Sequence, residues 1–380
     1  MKEKIKIIHF ITHLPVGGAQ DNTLFTLELL DKKKYEIFLA CNFSGELVSR
    51  AKKIEGINLI NIVDLQREVN IIKDIKALFK IYFLLRREKF NIVHTHSSKA
   101  GLIARIASKI NKVPLIIHTV HGFPFNDFMS KTKRNFYIYL EKKMAQFSDA
   151  LITVSNLNKQ KIIDLKICNK EKIFNIYSGI DLEIFKSRND NSFRKSLNIN
   201  KESILIGSVG RLSLQKDPLT MIKAITIVKK NIQNVHLVLV GDGDMKKELI
   251  EEIEKHKIQN YVHLVGNIMD IWNVYPSLDL FIMSSIYEGL GRSITEALCC
   301  KIPVVCTNVE GVPEIVRNNI TGLLVEPRDH LKLANAIISS LNNIDKSKKM
   351  AENGSEFVNE NFDVKKMVAD IDDLYEKLID

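Results

Sequence analysis

Two carboxylates bracket a glycine-containing turn in the segment Ser284–Leu298, which reads SSIYEGLGRSITEAL. Glu288 and Glu296 are separated by seven residues, and the apolar run Leu278–Met283 before them is typical of a buried strand. A strand, a glycine loop and a helix in that order direct backbone N–H groups at an anion. The pair therefore suits a diphosphate ester with hydroxyl groups at both ends, such as a sugar nucleotide. The alternative is a charged helix face after an ordinary turn.

Two cations mark a second segment, GRLSLQKDP at residues 210–218, which follows another apolar run. Pro218 suits the first turn of a helix. Arg211 and Lys216 precede that helix, where cations are unfavourable unless an anion is present. A guanidinium fork and an ammonium point charge both match phosphate oxygens. The segment therefore predicts a phosphate site.

Glycines and a histidine follow two strands of the first half. Gly17 and Gly18 come after the first predicted strand and before a helix, where glycine permits a close approach of backbone to ligand. The spacing is not GxGxxG, which weakens a nicotinamide-binding interpretation. His121, next to Gly122, ends a later strand and can place its ring beside a ligand. His118 is interpreted as an ordinary turn residue.

His94 and His96 have the spacing of a metal pair, because alternate residues share one face of a strand. The only third ligands at a plausible spacing are His118 and His121, in neighbouring loops. We therefore expect no metal site.

The elements that must position these residues alternate along the whole chain, which predicts parallel sheets with right-handed crossovers. A polar stretch, Ser187–Asn200, separates two such series and predicts two doubly wound domains. The predicted strands are Ile5–Ile11, Glu36–Cys41, Asn91–His94, Leu115–His118, Ala150–Val154, Lys172–Ile176, Ile204–Val209, His236–Val240, Tyr261–Val265, Leu280–Met283, Val304–Cys306 and Gly322–Val325. The predicted helices include Ile71–Lys89, Ala100–Ile110, Lys131–Phe147 and Asp363–Leu378.

Five motifs occur in the order found in one enzyme family. The chain resembles the retaining glycosyltransferases of family 4, which have two Rossmann-like domains (the GT-B fold) and act in surface polysaccharide synthesis. The matching motifs are Glu-x7-Glu, Gly-Arg-Leu-x-x-x-Lys, the first-loop Gly-Gly-Ala-Gln, the His-Gly pair at 121–122, and Ser178-Gly-Ile-Asp181, which has Ser where the family has Asn.

The resemblance implies an α/β fold of two domains facing a cleft, with a terminal helix that crosses back to the first domain. It implies an acceptor-side domain of residues 1–184 plus about 362–380 and a nucleotide-sugar donor domain of residues 185–361. The turn at Gly241–Gly243 resembles a family turn and is expected to be structural.

The resemblance also implies the site. Arg211 and Lys216 would stabilise the departing diphosphate, Glu288 would bind donor-sugar hydroxyls, and Glu296 would bind the ribose. His121 would contact the donor sugar. The remaining donor-binding predictions are Gly17, Gly18, Gly289, Leu290, Gly291, Arg292 and Ser293. Catalysis would need no metal and no cofactor. The donor would be a UDP-sugar, because UDP is the commonest nucleotide among the donors of such proteins.

The excess of positive over negative charge lies entirely in the first half, where residues 1–184 carry 30 Lys and Arg against 18 Asp and Glu. Such an excess invites an anionic partner. Two helices, at 73–90 and 131–147, combine cations with aromatic residues as interfacial helices do, although packing on a sheet gives the same pattern. We expect a cytoplasmic protein, with a possible peripheral contact to an anionic membrane and a glycan or lipid-linked acceptor.

Composition supports an ordinary folded protein, since the five cysteines show no CxxC pair and no apolar run is long enough to span a membrane. One rival within the fold is a non-hydrolysing sugar-nucleotide epimerase, a class that lacks this combination of motifs. A rival of another class is a basic nucleic-acid-binding protein, but no base-stacking or groove-entering module is visible.

Overall fold

The computed structural model describes residues 3–126, 128–186 and 192–379. Two compact units make up the chain. The first comprises Met1–Ser178 with Val364–Asp380, and the second comprises Gly179–Asp363. They divide at residues 178 and 363, whereas the sequence suggested 184 and 361. Part of the predicted polar linker, residues 187–191, lies outside the described residues.

The first unit contains a seven-stranded parallel sheet in the order β3-β2-β1-β4-β5-β6-β7. Its strands are β1 (Ile5–His13), β2 (Tyr35–Asn42), β3 (Ile57–Asn61), β4 (Ile92–His96), β5 (Leu115–Val120), β6 (Ala150–Thr153) and β7 (Ile173–Asn175). Its helices are α1 (Gly18–Leu29), α2 (Val48–Ala51), α3 (Ile71–Glu88), α4 (Ser98–Ile110), α5 (Lys131–Ala145), α6 (Asn156–Asp164) and, from the end of the chain, α15 (Val364–Ile379).

The second unit contains a six-stranded parallel sheet in the order β10-β9-β8-β11-β12-β13. Its strands are β8 (Ile204–Val209), β9 (Val235–Val240), β10 (Val262–Gly266), β11 (Leu280–Met283), β12 (Val304–Thr307) and β13 (Leu323–Val325). Its helices are α7 (Leu182–Lys186), α8 (Ser192–Ser196), α9 (Pro218–Asn231), α10 (Lys246–Lys255), α11 (Arg292–Cys299), α12 (Val312–Ile315), α13 (His330–Asn342) and α14 (Ile344–Asn361).

The central strands are almost continuously buried, because helices cover both faces of a doubly wound sheet. This explains why apolar runs predicted them well. The sequence missed β3, an edge strand whose two asparagines interrupt the apolar pattern and whose residues are largely half-exposed or exposed. The predicted α/β fold with two Rossmann-like sheets is confirmed.

The terminal helix α15 packs within the first unit, as predicted. Val364, Met367, Val368 and Ile371 join the apolar cluster of β1, β2 and α1. Tyr375 on the same helix is fully buried. Among the described residues, no helix is both long and apolar enough to cross a membrane.

Candidate active site

The strand order of each sheet reverses between two neighbouring strands, which are β8 and β11 in the second unit. Ligands of open α/β sheets bind beyond the carboxyl ends of the strands at such a switch point. The segments that leave these two strands, residues 210–217 and 284–291, carry the predicted residues Arg211, Lys216 and Glu288. The topology therefore gathers at one edge three side chains that the sequence identified separately.

Hydrogen bonds join these two segments directly. Ile286 N donates to the Gln215 carbonyl at 2.8 Å, and Gln215 Nε2 donates to the Tyr287 carbonyl at 3.1 Å. Ser284 Oγ donates to the Lys216 carbonyl at 2.8 Å. The loop that carries Lys216 and the loop that carries Glu288 are thus hydrogen-bonded to each other.

Lys216 and Glu288 form an ion pair within this structure, from Nζ to Oε1. Ser285 Oγ also donates to Glu288 Oε1, at 2.8 Å, and the Glu288 amide donates to Glu310 Oε2 at 2.9 Å. The Glu288 side chain is only 9% exposed. An anion that bound Lys216 would compete with Glu288 for the ammonium group and leave Oε1 able to accept from a ligand hydroxyl.

Glu296 lies on α11 and is also buried, at 4% exposure. Tyr275 donates its hydroxyl proton to Glu296 Oε2 at 2.7 Å, and Arg292 Nε lies 3.3 Å from Oε1. Burial, together with the neighbouring Glu296 carboxylate, raises the pKa of Tyr275 well above its usual value, so the phenol remains a donor. The second glutamate is therefore held in one orientation by two protein groups.

The turn between the two glutamates depends on glycine. Gly291 caps the start of α11 with a φ of 92°, a region that other residues rarely adopt. A Cβ on Gly311 would lie 2.3 Å from the Gly289 carbonyl oxygen, so a second backbone segment passes directly against this turn. Leu290 is buried, and α11 begins directly after Gly291, whose carbonyl accepts from the Ile294 amide of the first turn at 2.8 Å.

Arg211 is exposed at the end of β8, on a loop that packs against the predicted glycine turn. Gly210 N donates to the Val240 carbonyl at 2.9 Å, and Leu212 N donates to the Asp242 carbonyl at 3.0 Å. A Cβ on Gly241 would come within 2.1 Å of the Gly210 carbonyl oxygen. This contact supports a structural role for the turn. Helix α9 begins at Pro218, as predicted.

In the first unit the switch point lies between β1 and β4. Gly17 caps the start of α1 just beyond β1, and its carbonyl accepts from Asp21 N at 3.0 Å. Gly18 is the first helical residue. His121 directly follows β5, the strand beside β4, and is half-buried. The structure thus places Gly17, Gly18 and His121 in the first unit and the other predicted site residues in the second.

A group of buried histidines surrounds this switch point. Parallel pairing of β1 with β4 sets His9 directly beside His94, and ring nitrogens of His9, His94 and His96 lie within 4.8 Å of one another. The third ring of this group is His9, which was not among the third ligands that the sequence spacing suggested. His118 lies inside β5 rather than in a turn, and its Nδ1 pairs with the Thr95 hydroxyl at 2.8 Å.

Both ring nitrogens of His94 already have partners. Nδ1 is 2.5 Å from the Tyr375 hydroxyl and Nε2 is 2.7 Å from the Thr119 hydroxyl. A cation bound by all three rings would have to break one of these bonds. Burial holds the pKa of His94 and His96 well below the usual range. The geometry favours a neutral hydrogen-bonded group.

Comparison with known proteins identifies the family. The profile of glycosyl transferases group 1 matches residues 189–357, and that of glycosyltransferase family 4 matches residues 16–184. The UDP-Gal:alpha-D-GlcNAc-diphosphoundecaprenol alpha-1,3-galactosyltransferase of Escherichia coli is 32% identical over 98% of this chain and 97% of its own length. The chain belongs to the family 4, group 1 glycosyltransferases.

A second relative and a solved structure are also similar to this glycosyltransferase over nearly its whole length. The capsular polysaccharide biosynthesis glycosyltransferase CapM of Staphylococcus aureus is 27% identical over 97% of this chain and 96% of CapM. The crystal structure of HepE from Anabaena in complex with UDP and glucose superposes with a TM-score of 0.85, at 21% identity, over 98% of this chain and 100% of HepE. The GT-B fold of this glycosyltransferase is therefore shared with a solved structure.

Sequence reasoning missed several residues that contact the predicted ones. Tyr275 lies in a short 3-10 turn 21 residues before its partner, so no local pattern connects it to Glu296. Ser285 does stand at the Ser-x-x-Glu spacing before Glu288, which was an available signal. His9 becomes visible only when strand pairing is known.

Proposed function

We propose that this glycosyltransferase moves a sugar from a UDP-sugar to a saccharide or lipid-linked saccharide in surface glycan biosynthesis, with retention of anomeric configuration. The observation that carries the proposal is the Lys216–Glu288 pair at the switch point of the second unit. Support comes from the E. coli relative, whose name gives UDP-Gal as donor and a diphosphoundecaprenol-linked acceptor, and from HepE, solved with UDP and glucose.

The donor diphosphate is the group that needs most stabilisation, because negative charge grows on it as the glycosidic bond breaks. Lys216 and Arg211 supply positive charge at the end of β8. The amides of Gly289–Ser293 add backbone donors at the start of α11, where the helix dipole favours an anion. Preorganised donors of this kind lower the barrier without reorganising during the reaction.

Hydroxyl groups at the two ends of the donor have separate acceptors in the proposal. Glu288, released from Lys216 when the diphosphate binds, accepts from the transferred sugar. Glu296, held by Tyr275 and Arg292, accepts from the ribose. The proposal also assigns to His121 a contact with the transferred sugar.

Retention is proposed through attack on the same face as the leaving group. The bond from the anomeric carbon to the diphosphate oxygen breaks while the acceptor oxygen bonds to that carbon. The departing phosphate oxygen takes the acceptor proton, so no protein carboxylate has to form a covalent intermediate. The cations of the second unit perform the charge neutralisation that a metal would otherwise supply, and we propose that transfer continues in the presence of a chelator.

A donor screen tests the proposal. Transfer or slow donor hydrolysis would be measured with UDP-, GDP- and ADP-sugars, and NMR would give the anomeric configuration of the product. We expect turnover with a UDP-sugar and a retained configuration. Turnover confined to GDP- or ADP-sugars, an inverted product, or interconversion of two free sugar nucleotides would each contradict the corresponding part of the proposal.

Substitutions at the ion pair connect the activity to the site. Lys216→Ala and Glu288→Gln should each lower kcat/KM by at least about a hundredfold, the effect of losing one strong transition-state contact. The matched control is Lys246→Ala, which removes an exposed lysine of the same unit that pairs with Asp242. Near-normal turnover in either site variant, with the fold intact by circular dichroism, would exclude the assigned roles.

A membrane surface is the second partner that we propose, since a lipid-linked acceptor lies at one. Helix α3 buries Ala77, Ile81, Leu84 and Leu85 against the sheet. Its exposed apolar residues fall on a different face, and they are Ile71, Ile72, Ile75, Phe79 and Phe83. Exposed cations of the same helix are Lys76, Lys80, Arg86 and Arg87. Apolar and cationic residues side by side on one exposed helix match the interface of an anionic bilayer.

A further inference from the structure

Three histidines form a continuous hydrogen-bonded row in the first unit. His9 Nδ1 lies 3.0 Å from His96 Nε2, and His96 Nδ1 lies 3.1 Å from His121 Nε2. The rings stack in sequence, with centroids 5.3 Å apart at both steps. The row is a single chain in which each ring uses one nitrogen toward each neighbour.

Strand register explains the direction of the row. His9 pairs with His94 in the middle of β1 and β4, and His96 stands two residues further along the same face of β4. His96 pairs with Thr119 on β5, two residues before His121. The row therefore runs from the interior of the sheet to the carboxyl ends of the strands, where open α/β sheets bind their ligands.

All three rings are neutral near pH 7. Burial lowers the pKa of His9 to about 3 and that of His121 to about 4, and it holds the pKa of His96 well below its usual value. A neutral imidazole has one N–H donor and one acceptor nitrogen. A row with two internal hydrogen bonds consequently has only two arrangements. In the outward arrangement each N–H points along the row toward His121, and in the inward arrangement each N–H points toward His9.

The inner end of the row favours one arrangement. His9 Nε2 is buried and has no hydrogen-bond partner among the described residues. In the inward arrangement this nitrogen carries a proton and becomes a buried donor without an acceptor, which is rare in folded proteins. In the outward arrangement it holds only a lone pair, and Nδ1 of each ring carries the proton.

We propose that His9 and His96 are positioning residues that fix His121 as the Nδ1–H tautomer, which makes His121 a hydrogen-bond donor to an oxygen of the transferred sugar. The role toward the sugar rests on the proposed function. The tautomer itself does not, because the row exists in the free protein. His94 stacks on the same rings but bonds to Tyr375 and Thr119, so it stands outside the row.

The direct test is the tautomer of His121 in the unmodified protein. Long-range proton–nitrogen NMR on the histidine-labelled chain would be used, with the His121 signals identified by their loss in His121→Asn. A protonated Nδ1 with an unprotonated Nε2 is expected. A protonated Nε2, or a cationic ring at pH 7, would overturn the proposal without reference to any activity.

Variants of the middle ring test the positioning role. His96→Leu removes the donor to His121 and should give a mixture of His121 tautomers, with kcat/KM about tenfold lower, as the loss of one hydrogen bond implies. His96→Asn keeps an N–H donor near the position of Nδ1 and should restore both. His94→Asn is the control, since it replaces a buried neighbouring imidazole yet should leave the His121 tautomer unchanged.

The outcomes separate this inference from the proposed function. An Nδ1–H tautomer in a protein that transfers no sugar from any nucleotide would refute the proposed function and leave the row intact. Normal transfer with an Nε2–H tautomer, or with a His121 spectrum that His96→Leu does not change, would refute the positioning role of His9 and His96 and leave the proposed function standing.

Discussion

The glutamates of the candidate site differ in how they are held, and this difference governs what substitution should do. Glu288 pairs with a partly exposed lysine that a ligand can reach, whereas Glu296 is fixed by Tyr275 and Arg292 inside the unit. The first carboxylate can change partners on binding. The second has its orientation set before binding.

Tyr275→Phe should therefore weaken both folding and donor binding. It leaves Glu296 Oε2 without its 2.7 Å donor in a buried position, which costs about 1–3 kcal/mol in the free energy of unfolding. Urea titration would measure the stability and KM for the donor would measure binding. Tyr82→Phe, a hydroxyl bonded to an exposed arginine, should change stability by less than about 0.5 kcal/mol. Equal effects of the two variants would remove Tyr275 from the site.

At this scale the sequence was informative where a residue type is unusual for its position. Arg211 and Lys216 before a helix predicted an anion, and Glu288 and Glu296 bracketed a glycine turn. Tyr275 and His9 carried no comparable signal, because a tyrosine in a turn and a histidine in a strand are ordinary. Their importance depends on contacts made across the fold, which a linear pattern does not contain.

Among the elements, the loop after β8 is held in place by an unusually close approach to the loop after β9. Gly241, at the start of the loop after β9, donates its N–H to the carbonyl of Gly266 at the end of β10 at 2.8 Å, and both glycines have positive φ, at 135° and 71°. The two glycines differ in their surroundings. A Cβ on Gly241 would collide with the Gly210 carbonyl, whereas one on Gly266 would meet nothing within 4 Å.

Alanine substitutions at these two glycines separate the energetic cost of a positive φ from the cost of a steric clash with the Gly210 carbonyl. Gly266→Ala should cost only the penalty of a positive φ, roughly 1–2 kcal/mol. Gly241→Ala adds the collision and should cost about 3 kcal/mol or more, with a further loss of donor affinity as the Arg211 loop shifts. Chemical denaturation and donor titration would measure both. Equal destabilisation would mean that the contact with Gly210 does not constrain the loop.

Helix α3 has one face that packs on the sheet and another that stays exposed. Its sequence fits either a helix packed on a sheet or an interfacial helix, and the structure shows one face packed and another apolar face exposed. With 3.6 residues per turn, Ile71, Ile75, Phe79 and Phe83 form a stripe on the exposed side. Hydropathy alone could not assign faces, because both are apolar.

The exposed stripe predicts binding to anionic vesicles that weakens as salt increases. The double substitution Phe79→Ser with Phe83→Ser should reduce binding at least about tenfold, since each phenylalanine contributes on the order of 1 kcal/mol when partly buried in a bilayer. Cosedimentation with vesicles of neutral and of anionic lipid would measure it. The control is Leu331→Ser with Ile320→Ser, two exposed apolar residues of the second unit. Absence of binding at low salt would remove the membrane from the proposal.

Over the whole molecule, the alternation of strands and helices predicted two Rossmann-like sheets, and the structure has them. The strand order and register were not available from the pattern, because they depend on which apolar faces meet. That is why His94 and His96 were compared with His118 and His121 but not with His9. The terminal helix was placed correctly through the family resemblance rather than through its own sequence.

The two units should also respond differently to acid. Four histidines of the first unit are at most 4% exposed, and burial lowers the pKa of each of them: His9, His94, His96 and His118. In the second unit the lowered pKa values belong to His236 and His263, which are only half-buried. The unfolded chain binds protons below about pH 6.5, while the buried imidazoles do not. The contribution of these histidines to the free energy of unfolding is therefore complete above about pH 6.5, and it is lost as the pH decreases below that value.

This acid sensitivity can be assigned to one unit because the only tryptophan, Trp272, lies in the other. Each buried imidazole should remove up to about 1.4 kcal/mol per pH unit between pH 6.5 and its folded pKa. In urea at pH 5.5, circular dichroism should then lose amplitude before tryptophan fluorescence changes, whereas the two signals should lie closer together at pH 7.5. His9→Leu should bring the circular dichroism and fluorescence transitions at pH 5.5 closer together, because it removes one titrating group from the first unit. Coincident transitions at both pH values would show that the buried histidines do not control the stability of the first unit.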